Sequence, residues 1–467
     1  MRGLLLLLGL RLLAADLIQV QVISRAGAHK WHFPSKQWRQ ESAALLPAGF
    51  VGMEELGQVL KARYIGLAAS MPLANVSDIY QFGDALIRTM AREQTVQSAD
   101  AITYGVWSPV GRAVRGAPLT GGHQAVPVFT ISPAMDYLLS AYRACPMVDF
   151  VVDTFMNGSD YQKKENATLG IRTQLGTLLN MSSELIMMPQ LYDRVVLATL
   201  YGDMPSAGEI LPALSPEQMV ALEDMANFVE HGKFSPTETG ILCGGPLLSE
   251  IFGRMEAMIG ESPYRRVPFL GYIGTHSTLN CLLSILNASD PAVAPKIHPY
   301  GSSLIFELHK EGDDYYLNTL FLSGGSMDFR PVHLGTNPDG PCGNRNMLCP
   351  LEEAQAILKE RLTPSLVDWC DACGSYFMPA CNQALQIKMS SALNMTSPVP
   401  KGDKKGRGRR LNPVGAAFIG LFAGILLAVL VAVFGPKVGQ IWANRRDGGA
   451  YHPRGEEMDG GGGGIEA

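Results

Sequence analysis

The chain has 467 residues, of which 47% are hydrophobic and 17% are charged, and its formal net charge is −5. So apolar a composition excludes a wholly disordered chain, because it supplies enough apolar surface to bury a sizeable core. The absence of a sequence period excludes a collagen-like fibre, and the small negative net charge argues against a nucleic acid as partner.

Residues 1–15 have the pattern of a secretory signal peptide. A positive charge at Arg2 precedes a leucine-rich run, which ends in the small residues Ala14 and Ala15. Such segments are removed during translocation, so we predict cleavage after Ala14 or Ala15. The mature chain then begins in the lumen of the secretory pathway.

The luminal segment begins with a predicted strand. Residues 17–23 form an apolar run rich in β-branched side chains, which is typical of a buried strand. The run passes into a loop at residues 24–29 that contains Arg25 and His29. Residues 54–65 have helical spacing of apolar residues and predict the first helix.

The middle of the luminal segment has a different pattern. Residues 133–240 are almost wholly helical in pattern, whereas strand patterns return after residue 266. These later strands are predicted at residues 267–273, 303–308 and 315–321. The order predicts an α/β core, formed by residues 16–132 and 241–395, which a helical cap at residues 133–240 interrupts.

A second apolar segment, residues 414–434, predicts a single C-terminal transmembrane helix. It contains no charged residue and is long enough to span a bilayer at about 1.5 Å per residue. A buried core helix is the alternative, which the length of the segment disfavours. Residues 396–413 then form a basic linker, and residues 435–467 form a glycine-rich cytoplasmic tail.

The charges around this segment oppose the orientation that the signal peptide implies. Residues 401–410 carry six basic side chains, which the positive-inside rule alone would place in the cytosol. We give the signal peptide more weight, because long domains translocate largely regardless of flanking charge. The prediction is a single-pass type I membrane protein of the endosome, the lysosome or the cell surface.

Asn-x-Ser/Thr sequons agree with a luminal domain. About two would occur by chance in a chain of this size at ordinary Ser and Thr usage. Six occur, which predicts a glycoprotein. The sequon asparagines are Asn75, Asn157, Asn166, Asn180, Asn287 and Asn394.

Eight cysteines indicate an oxidising compartment. Cys370 and Cys373 form a C-x-x-C pair, which is also found in redox motifs and zinc sites. No second close pair completes a zinc set, so we predict structural disulfides. Cys342 and Cys349 are expected to close a short loop, and the remaining connectivity is left open.

Short motifs follow one another along the luminal segment in a characteristic order. They are Arg25-Ala26-Gly27 after the first strand, Arg88-Thr89, Val126-Pro127-Val128, Cys243-Gly244-Gly245-Pro246-Leu247, Gly274-Thr275-His276-Ser277, Pro299-Tyr300-Gly301-Ser302 and Cys349-Pro350-Leu351-Glu352. In this order and spacing the chain resembles the histidine acid phosphatases of the histidine phosphatase superfamily, in particular the membrane-bound and lysosomal-type enzymes. The resemblance implies a three-layer core, with a central mixed sheet flanked by helices, and the helical cap.

The resemblance also implies a chemistry. In the family, arginines clamp the phosphate of a monoester with charge-assisted hydrogen bonds, and a histidine after the first strand attacks phosphorus. An aspartic acid then protonates the leaving alcohol. No cofactor and no metal ion is expected.

Part of this set is kept. Arg25 matches the first clamp arginine, Arg88 matches the third, and His276 matches the second histidine of the family. These three residues, together with His29, are the expected phosphate-binding residues.

The positions that carry the chemistry are substituted. Ala26 stands at the nucleophile, Ser277 stands at the acid, and His29 replaces an arginine of the clamp. An alanine methyl group cannot attack phosphorus, and a serine hydroxyl is too weak an acid to protonate an alkoxide well. The sequence therefore predicts a degenerate active site in which no catalytic residue is intact.

Three functions remain open. The first is a pseudophosphatase that binds a phosphate monoester or a phosphorylated ligand. The second is an active acid phosphatase with another nucleophile, and the third is a structural or sorting glycoprotein. The sequence does not identify the ligand, and it leaves the oligomeric state open, a dimer included.

Overall fold

The computed structural model describes residues 15–30, 43–107, 113–114, 117–118, 124–201, 214–260, 266–288, 290–334, 340, 342–343, 348–363 and 365–396. The chain divides into two compact units, Met1–Asn394 and Met395–Ala467. The predicted anchor, most of the linker, the tail and all of the predicted signal peptide except Ala15 lie outside the described residues. Within the described ranges, no helix is both long and apolar enough to cross a membrane.

The first unit alternates strands and helices. Its strands are β1 (Asp16–Arg25), β2 (Ala85–Met90), β3 (Ala113–Val114), β4 (Ala117–Pro118), β5 (Val128–Ile131), β6 (Phe269–Gly274), β7 (Ser303–Glu311), β8 (Asp314–Leu322), β9 (Phe329–Pro331) and β10 (Cys349–Pro350). Its helices are α1 (Pro47–Tyr64), α2 (Glu93–Val106), α3 (Ala141–Ala144), α4 (Pro146–Asn157), α5 (Ser159–Leu179), α6 (Met188–Tyr201), α7 (Pro216–Phe234), α8 (Thr237–Ile259), α9 (His276–Ile285), α10 (Leu351–Leu358), α11 (Leu366–Cys373) and α12 (Pro379–Thr396), the last of which runs two residues into the second unit.

Among the described residues, eight strands form one mixed sheet in the order β10-β8-β7-β1-β6-β2-β5, with β9 paired to β8. Strands β1, β6, β2 and β5 are parallel, whereas β7, β8, β9 and β10 pair in antiparallel fashion. Arg25 of β1 lies opposite Gly274 of β6. The carboxyl ends of β1, β6 and β2 therefore meet at one edge of the sheet.

Strand β1 crosses the middle of the sheet and is buried along most of its length. Its side chains alternate between the two faces, as in any strand. Gln19 and Gln21 point to the same face as Arg25. The Gln19 amide donates to the carbonyls of Arg254 in α8 and Val267 before β6 at 3.1 Å and 3.0 Å, and the Gln21 amide donates to the carbonyl of Ile251 in α8 at 2.8 Å. These bonds satisfy the two amide nitrogens inside the core, where an unpaired donor would cost free energy.

Helices cover both faces of the sheet, so the core has three layers. One apolar cluster joins the strands to α8, α9 and α10, and a second joins them to α1 and α2. Representative members are Ile23, Leu270, Ile251 and Leu282 in the first cluster, and Val22, Ile87, Met53, Leu60 and Ile102 in the second. Each such side chain stabilises the fold by about 1.5–3 kcal/mol on burial.

Helix α8 begins within the predicted cap and continues into the core. The predicted boundary at residue 240 falls inside this helix, which continues through Gly244, Gly245 and Pro246 to Ile259. A Cβ atom at Gly244 would lie 2.6 Å from the carbonyl oxygen of Cys281 in α9. Glycine therefore lets α8 and α9 approach closely, and the Cys243–Cys281 disulfide crosslinks the same crossing.

The cysteines form four disulfides, and none of the eight is free. Cys342–Cys349 closes the predicted short loop. The C-x-x-C cysteines do not pair with each other, since Cys370 bonds Cys381 and Cys373 bonds Cys145. The described residues also contain no group of three or more His, Cys, Asp or Glu side chains that would hold a metal ion. The prediction of structural disulfides is confirmed.

The described residues between 133 and 240 are mainly helical, and we call helices α3–α7 the cap helices. Helices α5, α6 and α7 share an apolar cluster that includes Leu175, Leu191, Val195 and Val229. A capping box between Ser215 and Gln218 fixes the start of α7. These helices position the acidic side chains that meet the edge of the sheet.

Candidate functional site

The candidate site lies at the carboxyl edge of β1, β6 and β2. Arg25 is the last residue of β1, and His276 begins α9 directly after β6. Arg88 lies opposite Tyr272 in the register between β2 and β6. The sheet thus brings the three expected phosphate-binding residues to the same edge, where open α/β sheets bind ligands.

Arg25 is held on three sides. Its guanidinium donates to the backbone carbonyl of His298, and Nη2 donates to Asp193 Oδ1 of α6 at 3.1 Å. The guanidinium carbon lies 3.8 Å from the centre of the Tyr300 ring. The Tyr300 hydroxyl donates to the same oxygen of Asp193 at 2.6 Å. Arg25 is only 5% exposed, and Asp193 neutralises its charge.

Arg88 is paired with a second carboxylate. Its Nη2 donates to Asp136 Oδ1 at 2.9 Å, and the backbone N–H of Leu139 donates to the same oxygen at 3.2 Å. Burial raises the pKa of the Asp136 carboxyl, and the Arg88 guanidinium only partly offsets this effect. Asp136 Oδ2 and Arg88 Nε have no hydrogen-bond partner among the described residues. The pair is therefore joined end-on rather than as a fork.

His276 lies beside a buried carboxylate of α7. Its Nε2 is 3.5 Å from Glu230 Oε2 and 3.4 Å from the hydroxyl of Ser277. The other oxygen of Glu230 accepts from Lys233 Nζ at 2.5 Å. Burial disfavours the charged form of Glu230, but Lys233 and His276 outweigh it and lower the pKa of Glu230 to about 2. Glu230 is therefore ionised at neutral and mildly acidic pH.

Ala26 lies at the carboxyl edge but faces the opposite side of the sheet from Arg25. Its N–H donates to the carbonyl of Gly274 at 2.9 Å. Its methyl group packs in the apolar cluster of α1 and α2, which includes Met53 and Leu56. This side chain has no atom that can act as a nucleophile.

His29 reaches the site through Tyr300. The two rings pack edge to face with centroids 5.7 Å apart. The Nδ1 atom of His29 lies 3.2 Å from the carbonyl oxygen of Gly27, and its backbone pairs with Leu45. Arg25 and His29 thus share one aromatic ring, whereas Arg88 contacts a separate carboxylate.

Three carboxylates of the site, Asp193, Asp136 and Glu230, are not among the residues predicted from the sequence. One signal was available for Glu230, because it lies four residues after Ala226 and four before Phe234, both of which are buried. Helical periodicity places it on the buried face of α7. The Arg25–Asp193 pair spans 168 residues of chain, and no local pattern indicates such a contact.

A cavity of about 370 Å³ adjoins Arg25, between α6, α7 and the segment before β7. Its charged and polar lining includes Arg25, Asp193, Glu223, Lys296, His298, Tyr300 and Arg330, whereas Arg88, His276 and His29 do not line it. We call it the cap–core cavity. Since its lining carries both signs of charge, the cavity is not a purely cationic anion site.

Curated relatives of the chain are acid phosphatases. Lysosomal acid phosphatase of Rattus norvegicus is 26% identical over 348 residues, which are 73% of this chain and 74% of the relative. The human protein of the same name is 24% identical over the same shares of the two chains. Putative acid phosphatase 5 of Caenorhabditis elegans is 25% identical over 291 residues, 61% of this chain and 63% of the relative.

Solved structures share the fold at low identity. The phytase from Citrobacter braakii superposes with a TM-score of 0.52 and 16% identity, covering 75% of this chain and 98% of the phytase. The apo phytase from Hafnia alvei gives a TM-score of 0.51 and 12% identity, over 77% and 98% of the two chains. These likenesses show the α/β architecture alone, and they confirm the predicted α/β core with a mixed central sheet flanked by helices.

The family model supplies the assignment. The histidine phosphatase superfamily (branch 2) model matches residues 17–321, from the second residue of β1 to the end of β8. The match includes Arg25, Arg88 and His276 and covers more than half of the chain. It confirms the resemblance drawn from the order of the motifs. The chain belongs to branch 2 of the histidine phosphatase superfamily.

Proposed function

We propose that the protein is a type I membrane glycoprotein whose luminal domain is a catalytically impaired acid phosphatase that binds a phosphate-bearing ligand. The observation that carries the impairment is Ala26, whose methyl group stands at the end of β1 where the family has its nucleophile. Relatives named lysosomal acid phosphatase support a place in the lysosome.

Because the nucleophile is missing, we do not expect the domain to hydrolyse phosphate monoesters. Removing the nucleophile of another hydrolase lowers kcat by about 10⁶, and losses within one catalytic unit are not additive. His29 lies three residues along the loop, and its Nδ1 faces the Gly27 carbonyl. A misplacement of about 1 Å alone costs about 10²-fold, so His29 is a poor substitute. Ser277 is buried and too weak an acid to assist the leaving group.

The retained arginines support weak anion binding. Two charge-assisted contacts of about 1.5–3 kcal/mol each give roughly millimolar affinity. Asp193 and Asp136 already occupy Arg25 and Arg88, so an incoming phosphate competes with an internal carboxylate at both positions. Millimolar is therefore the tightest affinity that we expect for inorganic phosphate.

A structural or sorting glycoprotein is the second candidate. It is favoured by the same ion pairs, because Arg25 and Arg88 have partners and require no ligand for their stability. An active acid phosphatase, which the names of the relatives suggest, requires a nucleophile other than Ala26.

Two measurements on the purified full-length chain test the proposal. The first is hydrolysis of nitrophenyl phosphate at acidic pH, where we expect no activity above background. Turnover that Arg25→Ala abolishes would overturn the impairment. The second is thermal unfolding with up to tens of millimolar phosphate, where we expect a small upward shift in Tm. The shift should shrink in Arg88→Ala and persist in Arg266→Ala, which alters an exposed arginine outside the site. No shift in the unmodified chain would favour the structural glycoprotein.

A further inference from the structure

The cap–core cavity has walls of opposite charge. Asp193 of α6 and Glu223 of α7 lie on the wall formed by the cap helices. Arg25 at the end of β1 and Lys296 in the segment before β7 lie on the core wall. Arg330 of β9 also lines the cavity, but it pairs with Asp328 at 3.1 Å. An anionic ligand in the cavity therefore meets carboxylates as well as cations.

Some charged side chains of the cavity lining form ion pairs with each other, and others do not. Arg25 and Asp193 neutralise each other at 3.1 Å. Lys296 Nζ donates to the backbone carbonyl of Pro291 at 2.9 Å, a contact that leaves its charge uncancelled. Among the described residues, neither Lys296 nor Glu223 forms an ion pair. One cation on the core wall and one carboxylate on the cap wall are thus available to a ligand.

Glu223 lies close to the core wall. Asn227 follows it by one helical turn, so the two side chains share a face of α7. Asn227 Oδ1 accepts from the backbone N–H of Ile297 at 3.1 Å, and Ile297 follows Lys296 in the chain. Burial raises the pKa of the Tyr192 phenol, Glu223 adds to the shift, and Arg25 opposes it. Tyr192 is therefore near both Glu223 and Arg25.

His298 adds a neutral polar group to the same cavity. It is 1% exposed, and its Nε2 has no hydrogen-bond partner within the described part of the chain. Burial, Lys296 and Arg25 lower the pKa of His298 to about 3, so the ring is uncharged at neutral pH. A neutral imidazole adds no positive charge to attract a second anionic group.

We propose that the cap–core cavity binds a zwitterionic phosphate ester, a small phosphate monoester that also carries an ammonium group. The phosphate lies against Arg25 and Lys296, and the ammonium lies against Asp193 and Glu223. This inference rests on the proposed binding function and names the ligand class at Arg25, the expected phosphate-binding residue that lines the cavity. A volume of about 370 Å³ is at the lower end of small-molecule pockets, in agreement with a small ligand.

Repulsion between like charges is the reason why we expect a zwitterionic ligand to be preferred over a phosphate alone. A phosphate without a cation approaches Arg25 against the repulsion of Asp193, which is fixed there by Tyr300. An ammonium group on the same ligand replaces Arg25 as the partner of Asp193 and gains Glu223 as a second partner. Both ends of the ligand then exchange hydration for charge-assisted hydrogen bonds.

The test compares ligands that differ only in the ammonium group. Dissociation constants of inorganic phosphate, n-propyl phosphate and 2-aminoethyl phosphate are measured by isothermal titration calorimetry with the full-length chain at pH 7. We expect 2-aminoethyl phosphate to bind about tenfold more tightly than propyl phosphate, the equivalent of about 1.4 kcal/mol. Glu223→Gln should remove most of this preference. Glu217→Gln, which changes an exposed carboxylate at the start of the same helix, should keep it.

Each outcome decides between the two proposals. If propyl phosphate and 2-aminoethyl phosphate bind equally, the zwitterion inference is wrong while the binding of phosphate esters stands. The inference is also wrong if the preference survives Glu223→Gln unchanged. If none of the three probes binds, the proposed binding function itself fails, and the inference fails with it.

Discussion

Replacing Glu230 by glutamine tests how the domain keeps charges in its interior. Glu230 is fully buried between Lys233 and His276, which approach its two oxygens at 2.5 Å and 3.5 Å. Glutamine has nearly the same shape but no charge. The variant removes the carboxylate charge that faces the Lys233 ammonium at 2.5 Å, and this ammonium is only 6% exposed. The expected result is a large loss of stability at neutral pH.

Two estimates of this loss agree. Removing one partner of a buried ion pair costs about 3–5 kcal/mol, because the other charge stays buried and unpaired. Independently, the pKa of Glu230 falls from its ordinary value of 4.5 to about 2. At about 1.4 kcal/mol per pKa unit, this shift corresponds to about 3 kcal/mol of stabilisation. We therefore expect Glu230→Gln to lower the free energy of unfolding by about 3–5 kcal/mol at pH 7.

The pH dependence has a definite sign. Because the pKa of Glu230 is lower in the folded state, the unfolded chain binds more protons between about pH 2 and 4.5. The stabilisation is fully present above pH 4.5 and is lost as the pH falls through about 2. The difference between the unmodified chain and the variant should therefore persist at pH 5 and largely vanish at pH 2.

Urea unfolding of the full-length chain, followed by tryptophan fluorescence at pH 7, 5, 3 and 2, measures these differences. Adding Lys233→Met to Glu230→Gln removes both charges and should recover much of the loss. Glu217→Gln, an exposed change in the same helix, should cost less than about 0.5 kcal/mol. A loss below about 1 kcal/mol at pH 7, or an undiminished loss at pH 2, would refute the argument.

Three further predictions concern the site and its support. Asp193→Asn should raise the affinity for inorganic phosphate about fivefold in calorimetric titrations, because it removes a carboxylate at the anion position. Gly244→Ala should lower the free energy of unfolding by about 1–3 kcal/mol, since its Cβ would overlap α9. Ala26→His should give faint activity confined to activated esters, and adding Ser277→Asp and His29→Arg should extend it to alkyl phosphates.

Matched variants control the first two of these measurements. Asp153→Asn changes an exposed carboxylate outside the cap–core cavity and should leave phosphate affinity unaltered. Gly253→Ala lies in the same helix as Gly244, has open space at its Cβ and should stabilise slightly. An unchanged affinity in Asp193→Asn, or equal effects of the two glycine substitutions, would contradict the corresponding contacts. Full activity from Ala26→His alone would show that His29 and Ser277 are wrongly assigned.

The fold could be predicted from hydrophobic period because its strands are apolar and its helices are long. The run at residues 17–23 became β1, with two more residues at the carboxyl end. Helix α1, in contrast, begins at Pro47, seven residues before the predicted start. Glycines weaken the local helical pattern there. A Cβ atom at Gly49 would collide with the Ala28 carbonyl, so the packing requires glycine at this position. The same glycine weakens the helical pattern in the sequence.

The candidate site could be predicted only in part. The order of family motifs locates Arg25, Arg88 and His276. Arg25 and His276 also follow strands predicted at residues 17–23 and 267–273, whereas the strand that contains Arg88 was not predicted. The carboxylates that pair with the two arginines are distant in the chain: Asp136 lies 48 residues from Arg88, in the segment between β5 and α3, and Asp193 lies 168 residues from Arg25, in α6. Which acidic side chain meets which arginine depends on how distant segments of the chain pack together. No local pattern in the sequence indicates that packing.

The Arg25–Asp193 ion pair stabilises the domain and also weakens its binding of phosphate. A buried arginine without an anion costs several kcal/mol, so a pocket built to hold a phosphate dianion is unstable when it is empty unless water or an internal anion is available. Asp193 supplies such an anion to Arg25, and Tyr300 fixes its position. The same contact lowers the affinity of Arg25 for a free phosphate. A ligand gains most where it satisfies Arg25 and Asp193 together, and a ligand with both charges meets that condition.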